Sequence, residues 1–383
     1  MGSRLFSAAA WGFALAGYAL LLADPAIALE GFGHPRLPAA LHLFTLGVLV
    51  SGFYGAQERA WPAWYGRPAP WPAATVAAWT AHVGGVILMA AGFLGGGLRV
   101  ANLGAHYLVP AGIALRTLQA VWAVRRRAPG TPRHAAGHLP LVGLWLAMAL
   151  GSMLILSEVT GRYGLYTPGT LLVHGLVGGF LFALPALRVG APEAAAARPW
   201  WPPRPGVLLP LGVALAAAGA WTPVAGLLAL GLAALGGAVS LLGAPRAAPG
   251  RAAWGFSRHG WPWTLAGAGL LYAAWRSGAA PGEGPVLALR VGAWLLLGAA
   301  VPELLAGLGR HGPPWAPSRL DLEPHLHTAL ALSGTLLVGG AVLGAALPVR
   351  LGAAAGLVVL ALLALGLGGL RGPPPAPGRP GAP

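Results

Sequence analysis

The chain has no cysteine and no lysine in 383 residues, and only 9 of its residues are acidic. Each absence excludes something. Without cysteine there are no disulfides, no thiolate metal sites and no covalent haem attachment through C-x-x-C-H. Any metal must then be held by histidine, carboxylate or methionine. Charge is scarce as well: 9% of residues are charged and 56% are hydrophobic, with a mean hydropathy of +0.69. Soluble domains carry about 25% charged residues, so an ordinary water-soluble chain is excluded. There is no Walker-type phosphate loop, no G-x-S-x-G and no H-E-x-x-H. The 24 basic residues are all arginine, and the net charge is +15. They fall in short segments between apolar stretches. That is the pattern of membrane topology, not of a nucleic-acid patch, so no nucleic-acid partner is expected.

What remains is apolar sequence, in runs long enough to cross a bilayer. The fold class it implies is an all-α, polytopic membrane helical bundle surrounded by lipid. Hydropathy marks about twelve spans of roughly 20 residues. The first six cover residues 5–29, 39–62, 73–94, 100–124, 138–157 and 167–189. The apolar block 206–243 holds two more, split at Trp221-Thr222-Pro223. The last four are 260–276, 285–308, 322–347 and 350–370. This divides the chain into a six-span half (1–190), a proline- and tryptophan-rich loop (191–205), a second six-span half (206–370) and a tail (371–383) expected to be disordered. Span one ends in Ala26-Ile27-Ala28, which looks like a signal-peptidase site. Its apolar core is longer than a usual signal sequence, so a retained helix is expected. With the N-terminus inside, about 17 arginines fall on the inner side and about 6 on the outer, the bias of an inner-membrane protein with both termini cytoplasmic.

Residues 39–62 form the span around which the rest is read. His42 sits one turn from one end, Gly47, Ser51, Gly52 and Gly55 follow, and Glu58, Arg59 and Trp61 mark the exit. An ionisable ring within a span is costly and points to function. The small residues would admit a neighbouring helix or a flat cofactor. Spans two, six and ten share a pattern: a polar residue in the first turns (His42, His174, Arg290), then glycine-rich apolar sequence, then proline and charge. This suggests a threefold repeat of four-span units. His42 and His174 would then lie at similar depth and could hold a haem iron between them, or part of a copper site. Span eleven opens with Glu323-Pro324-His325-Leu326-His327. Residues i and i+2 project about 200° apart on a helix, so the two histidines cannot chelate one metal from one face.

The segment LHLFTLGVLVSGFYG with its proline-terminated exit resembles the second helix of haem–copper oxidase subunit I and of nitric oxide reductase relatives. It is also similar to the corresponding helix of the NnrS family of twelve-span membrane proteins. The resemblance implies a haem ligand at His42 and a copper ligand at His174. EPHLHTALALSG resembles the oxidase helix bearing H-x-H, which implies haem ligands at His325 and His327. It implies haem, with copper as a further cofactor, a diatomic gas ligand, and a role in nitric oxide response or respiratory metal chemistry. The chain departs from the oxidases in lacking an adjacent histidine pair after span six, and from NnrS in having Arg290 where that pattern has histidine.

Other polar residues fall within or beside the spans. Glu303, which follows Pro302 in span ten, and Arg116 in span four are proton-relay candidates, and the two could pair. His82 and His106 read as structural. Tryptophans such as Trp61, Trp64 and Trp71 fit interfacial belts. The same features suit a cofactor-free permease with His and Glu in the translocation path, or a scaffold subunit.

Overall fold

The computed structural model describes residues 2–30, 34–126, 128–129 and 323–369. All regular structure among them is helical. A backbone in hydrocarbon must satisfy its N–H and C=O groups within its own segment, and an isolated helix does this. Among the described residues, four rods are long and apolar enough to cross a membrane: Gly2–Ala23, Leu37–Gly55, Pro72–Gly96 and Leu98–Arg125. This is the architecture of a multi-pass membrane protein.

The first rod is α1, Gly2–Ala23, followed by a separate short helix α2, Ala26–Glu30. One continuous span over 5–29 was expected. Pro25 breaks it, because proline lacks an N–H and disfavours helical geometry in the residue before it. The second rod runs through α3 (Leu37–His42), a π-helical segment (Leu43–Val50) and α4 (Ser51–Tyr65). The third is α5 (Pro72–Ala91) with a π-helical end, Gly92–Gly96, that is broken at Gly95, whose φ of 140° is not helical. The chain reverses at Gly97, whose φ of 89° suits glycine alone. The fourth rod is α6 (Leu98–Asn102), a third π-helical segment (Leu103–Leu108) and α7 (Val109–Arg125). Pro110 has no N–H to offer the carbonyl one turn back, and the helix widens just before it.

α8 (Glu323–Leu343) and α9 (Ala346–Gly369) form a hairpin. The turn falls at Gly344, with φ 67°, and not at 348–349 as the hydropathy suggested. Pro348 instead occupies the first turn of α9, where its missing N–H costs nothing.

The rods pack antiparallel. Gly17 of α1 lies against Phe44, Gly47 against Phe13, and Gly55 against Ser7. The small residues of the second span thus admit a neighbouring helix, α1. α5 packs on the fourth rod at near-backbone contact: a Cβ on Gly104 would come within 2.2 Å of the Gly85 carbonyl oxygen. α9 lies on α1, where Tyr18 meets Gly356. Phe6, Phe13, Tyr18, Phe44, Phe53 and Trp61 fill the core between the rods. As the rods alternate in direction, Gly2, Glu58, Thr75 and Gln119 share one end of the bundle. Asp24, Arg36, His42 and Phe93 share the other.

Candidate functional site

Arg116 is the buried charge around which the Gly2 end is built. It lies two and a half turns from the end of α7 and is 1% exposed. Its Nη1 donates to the Glu58 carboxylate of α4, to Gln119 Oε1 at 2.9 Å and to Thr75 Oγ1 at 3.5 Å. Its Nη2 donates to Gln57 Oε1 at 2.7 Å. Gln119 in turn donates from Nε2 to the Pro70 carbonyl at 2.6 Å and to Thr75 Oγ1 at 3.0 Å. The guanidinium also lies over three rings, Phe6 at 5.5 Å, Tyr54 at 5.3 Å and Trp61 at 5.5 Å. Residues from all four rods therefore converge on one cation, and the α4–α5 loop is tied to it through Gln119. Glu58, at 11% exposed, is the member nearest the surface. Gly2 abuts it: a Cβ there would come within 2.7 Å of the Glu58 Oε2.

This placement answers part of the sequence reading. The carboxylate paired with Arg116 is Glu58; Glu303 lies outside the described residues. Trp61 was assigned to an interfacial belt, but it is fully buried, with its ring over the guanidinium. Cation–π attraction and burial of a large apolar ring favour that position over the lipid interface. Gln57, Thr75 and Gln119 were not singled out. Gln119 carries the one readable signal, since it stands three residues from Arg116 on the same helix face.

His42 occupies the opposite end of the second rod, where α3 passes into the π-helical segment. Its Nδ1 donates to the Pro38 carbonyl at 2.6 Å. That bond places the proton on Nδ1 and makes Nε2 the basic nitrogen. The ring is half-buried and stacks on Phe93, with centroids 5.9 Å apart and planes at 19°. Beyond it, Asp24 Oδ2 accepts from Arg36 at 3.2 Å and lies 3.5 Å from His34 Nε2.

His82 lies between these two regions on α5 and is fully buried. Its Nε2 donates to the Leu46 carbonyl at 3.0 Å, within the π-helical segment that follows His42. The edge of its ring meets Tyr54, whose ring also carries Arg116. His106 is half-buried in the π-helical segment of the fourth rod. His325 and His327 stand in the first turns of α8, where only the backbone is described. His174, and with it the copper assignment, lies outside the described residues, as do spans six and ten of the repeat. Among the described residues no three histidine, aspartate or glutamate side chains come together as a metal site. A porphyrin iron needs only one or two protein ligands, and the imidazole of His42 is of the right chemical kind. A comparison of the chain with protein-family models, with curated proteins and with solved structures finds no match in any of the three.

Proposed function

We propose that this multi-pass membrane protein binds haem through His42, in the manner of the haem–copper oxidase and NnrS proteins that its second span resembles. It would act in nitric oxide response or respiratory metal chemistry, with its N-terminal end in the cytoplasm. The presentation of His42 carries this reading. Metal-ligating imidazoles usually donate their second ring N–H to a carbonyl or carboxylate, which fixes the tautomer and raises the basicity of the ligating nitrogen. The 2.6 Å bond from Nδ1 to the Pro38 carbonyl supplies that support, and Phe93 holds the plane of the ring. His174, His325 and His327 are the candidates for a second axial position. Bound haem would supply reversible diatomic binding and electron transfer. The chain's own part is to orient the imidazole and to exclude water. Copper has weaker support, because such sites use several nitrogen or sulfur donors.

One observation favours a second reading. A paired, buried arginine and glutamate inside a helical bundle also suits a permease without cofactor. An absorption spectrum of the purified protein, oxidised and dithionite-reduced, separates the two. Haem binding predicts a Soret band near stoichiometric with protein, shifted by nitric oxide and lost in His42→Ala. A featureless spectrum from protein expressed with ample haem overturns the first reading. The permease reading then predicts proton-coupled flux in proteoliposomes that falls in Glu58→Gln.

A further inference from the structure

The cofactor reading gives no role to His82, which is nevertheless the fully buried histidine among the described residues. Its hydrogen bond bears on the segment that follows His42, while Tyr54 of α4 and the α7 face at Gly112 hold it from the sides. Nε2 donates to the Leu46 carbonyl, one turn beyond His42 and inside the segment Leu43–Val50. A π-helical segment departs from the regular i to i−4 ladder, and a side-chain donor on one of its carbonyls helps hold that departure in place. The imidazole has little freedom to move. Tyr54 meets it edge-on, with centroids 5.7 Å apart. On the α7 side, a Cβ at Gly112 would come to 2.9 Å from the His82 backbone nitrogen, so the bare glycine lets α7 press directly on this turn of α5. Further along the same rod, Phe93 stacks on the His42 ring. The third rod therefore grips the His42 turn twice, through the His82 side chain on its backbone and through Phe93 on its ring.

We infer that His82 is a positioning residue for His42: its hydrogen bond to Leu46 fixes the π-helical turn that presents the His42 imidazole. In its spectroscopic form the inference rests on haem binding at His42. The test compares full-length wild-type protein with three variants by haem titration and Soret position. A partner bonded directly to a ligating imidazole is worth about 10–100-fold in metal affinity; His82 acts one step removed, through the Leu46 backbone, so the effect belongs at the low end of that range. His82→Leu removes the donor and keeps the bulk; it should weaken haem binding about tenfold and shift the Soret maximum. His82→Gln can place an amide N–H where Nε2 stands, and should restore both. Unchanged affinity and spectrum in His82→Leu overturn the inference. Should that variant not fold, His82→Asn is the control. Its amide is too short to reach the carbonyl, so equal behaviour of Asn and Gln overturns the inference as well. If the wild-type protein binds no haem, the cofactor reading falls and the ring nitrogens of His42 are read instead, by nitrogen-15 NMR of the cofactor-free protein. Their shifts should move in His82→Leu and return in His82→Gln; no movement overturns the inference independently of haem.

Discussion

A guanidinium taken out of water loses its hydration and needs acceptors on every side. The two terminal nitrogens of Arg116 find a carboxylate, two glutamine oxygens and a threonine hydroxyl, and aromatic faces surround the group, while its Nε makes no hydrogen bond among the described residues. Such a pair adds little when intact, because desolvation offsets the Coulomb gain, but breaking it leaves a buried charge alone. Glu58→Ala should therefore destabilise the protein by about 3–5 kcal/mol. The loss should appear as a lower thermal midpoint in detergent. Adding Arg116→Met removes the orphaned charge, and the double variant should recover at least half of the loss. A double variant no more stable than Glu58→Ala would mean that the pair is not coupled. Arg116→Lys should not substitute, because an ammonium cannot reach Gln57 and Glu58 together in the way a planar fork does.

At the scale of elements, the α5 contact with the fourth rod depends on glycines that differ sharply in what surrounds them. A Cβ on Gly104 would meet the Gly85 carbonyl oxygen at 2.2 Å and the Met89 nitrogen at 2.8 Å, both backbone atoms. Gly84, on the same α5, has nothing within 4 Å of its Cβ direction. Gly104→Ala must push two helices apart and should cost about 1–3 kcal/mol. Gly84→Ala should be neutral or stabilising by about 0.5 kcal/mol, through reduced freedom of the unfolded chain. Thermal melts of both variants check this, and equal melts would rule out the close approach. The rods themselves were readable. Hydropathy with proline and glycine punctuation put the third span at 73–94 and the fourth at 100–124, against rods at Pro72–Gly96 and Leu98–Arg125. Asp24-Pro25 was a readable break that apolar length overrode. Of the π-helical segments, Leu103–Leu108 has a readable cause in Pro110, whereas no proline follows Leu43–Val50 within a turn to mark it. The bond from His82 to Leu46, and the pairing of Glu58 with Arg116, join residues 36 and 58 positions apart. No local pattern encodes such pairings, so the site was legible in its residue types and not in its partners.

For the whole molecule, the question with the widest consequence is which end of the bundle faces the cytoplasm. The Gly2 end carries Arg4, Arg67, Arg125 and Arg126, and the Asp24 end carries Arg36 and Arg99. Arginine retained on the cytoplasmic side during insertion would fix the Gly2 end inside. The Arg116 network would then lie near the cytoplasmic face, with His42 toward the outer one. The absence of cysteine makes the test direct, because any introduced thiol is the only one in the chain. Pro35 and Arg67 are both exposed, in loops at opposite ends. In intact cells a membrane-impermeant maleimide should label Pro35→Cys and leave Arg67→Cys untouched until the membrane is permeabilised. The reverse pattern would invert the topology, bring His42 to the cytoplasmic side and move Glu58 to the outer one. An external electron donor for haem, or an external proton source for a permease, would then have to reach the opposite end of the bundle. Labelling at both positions in intact cells would show that these rods do not span the membrane as an alternating set.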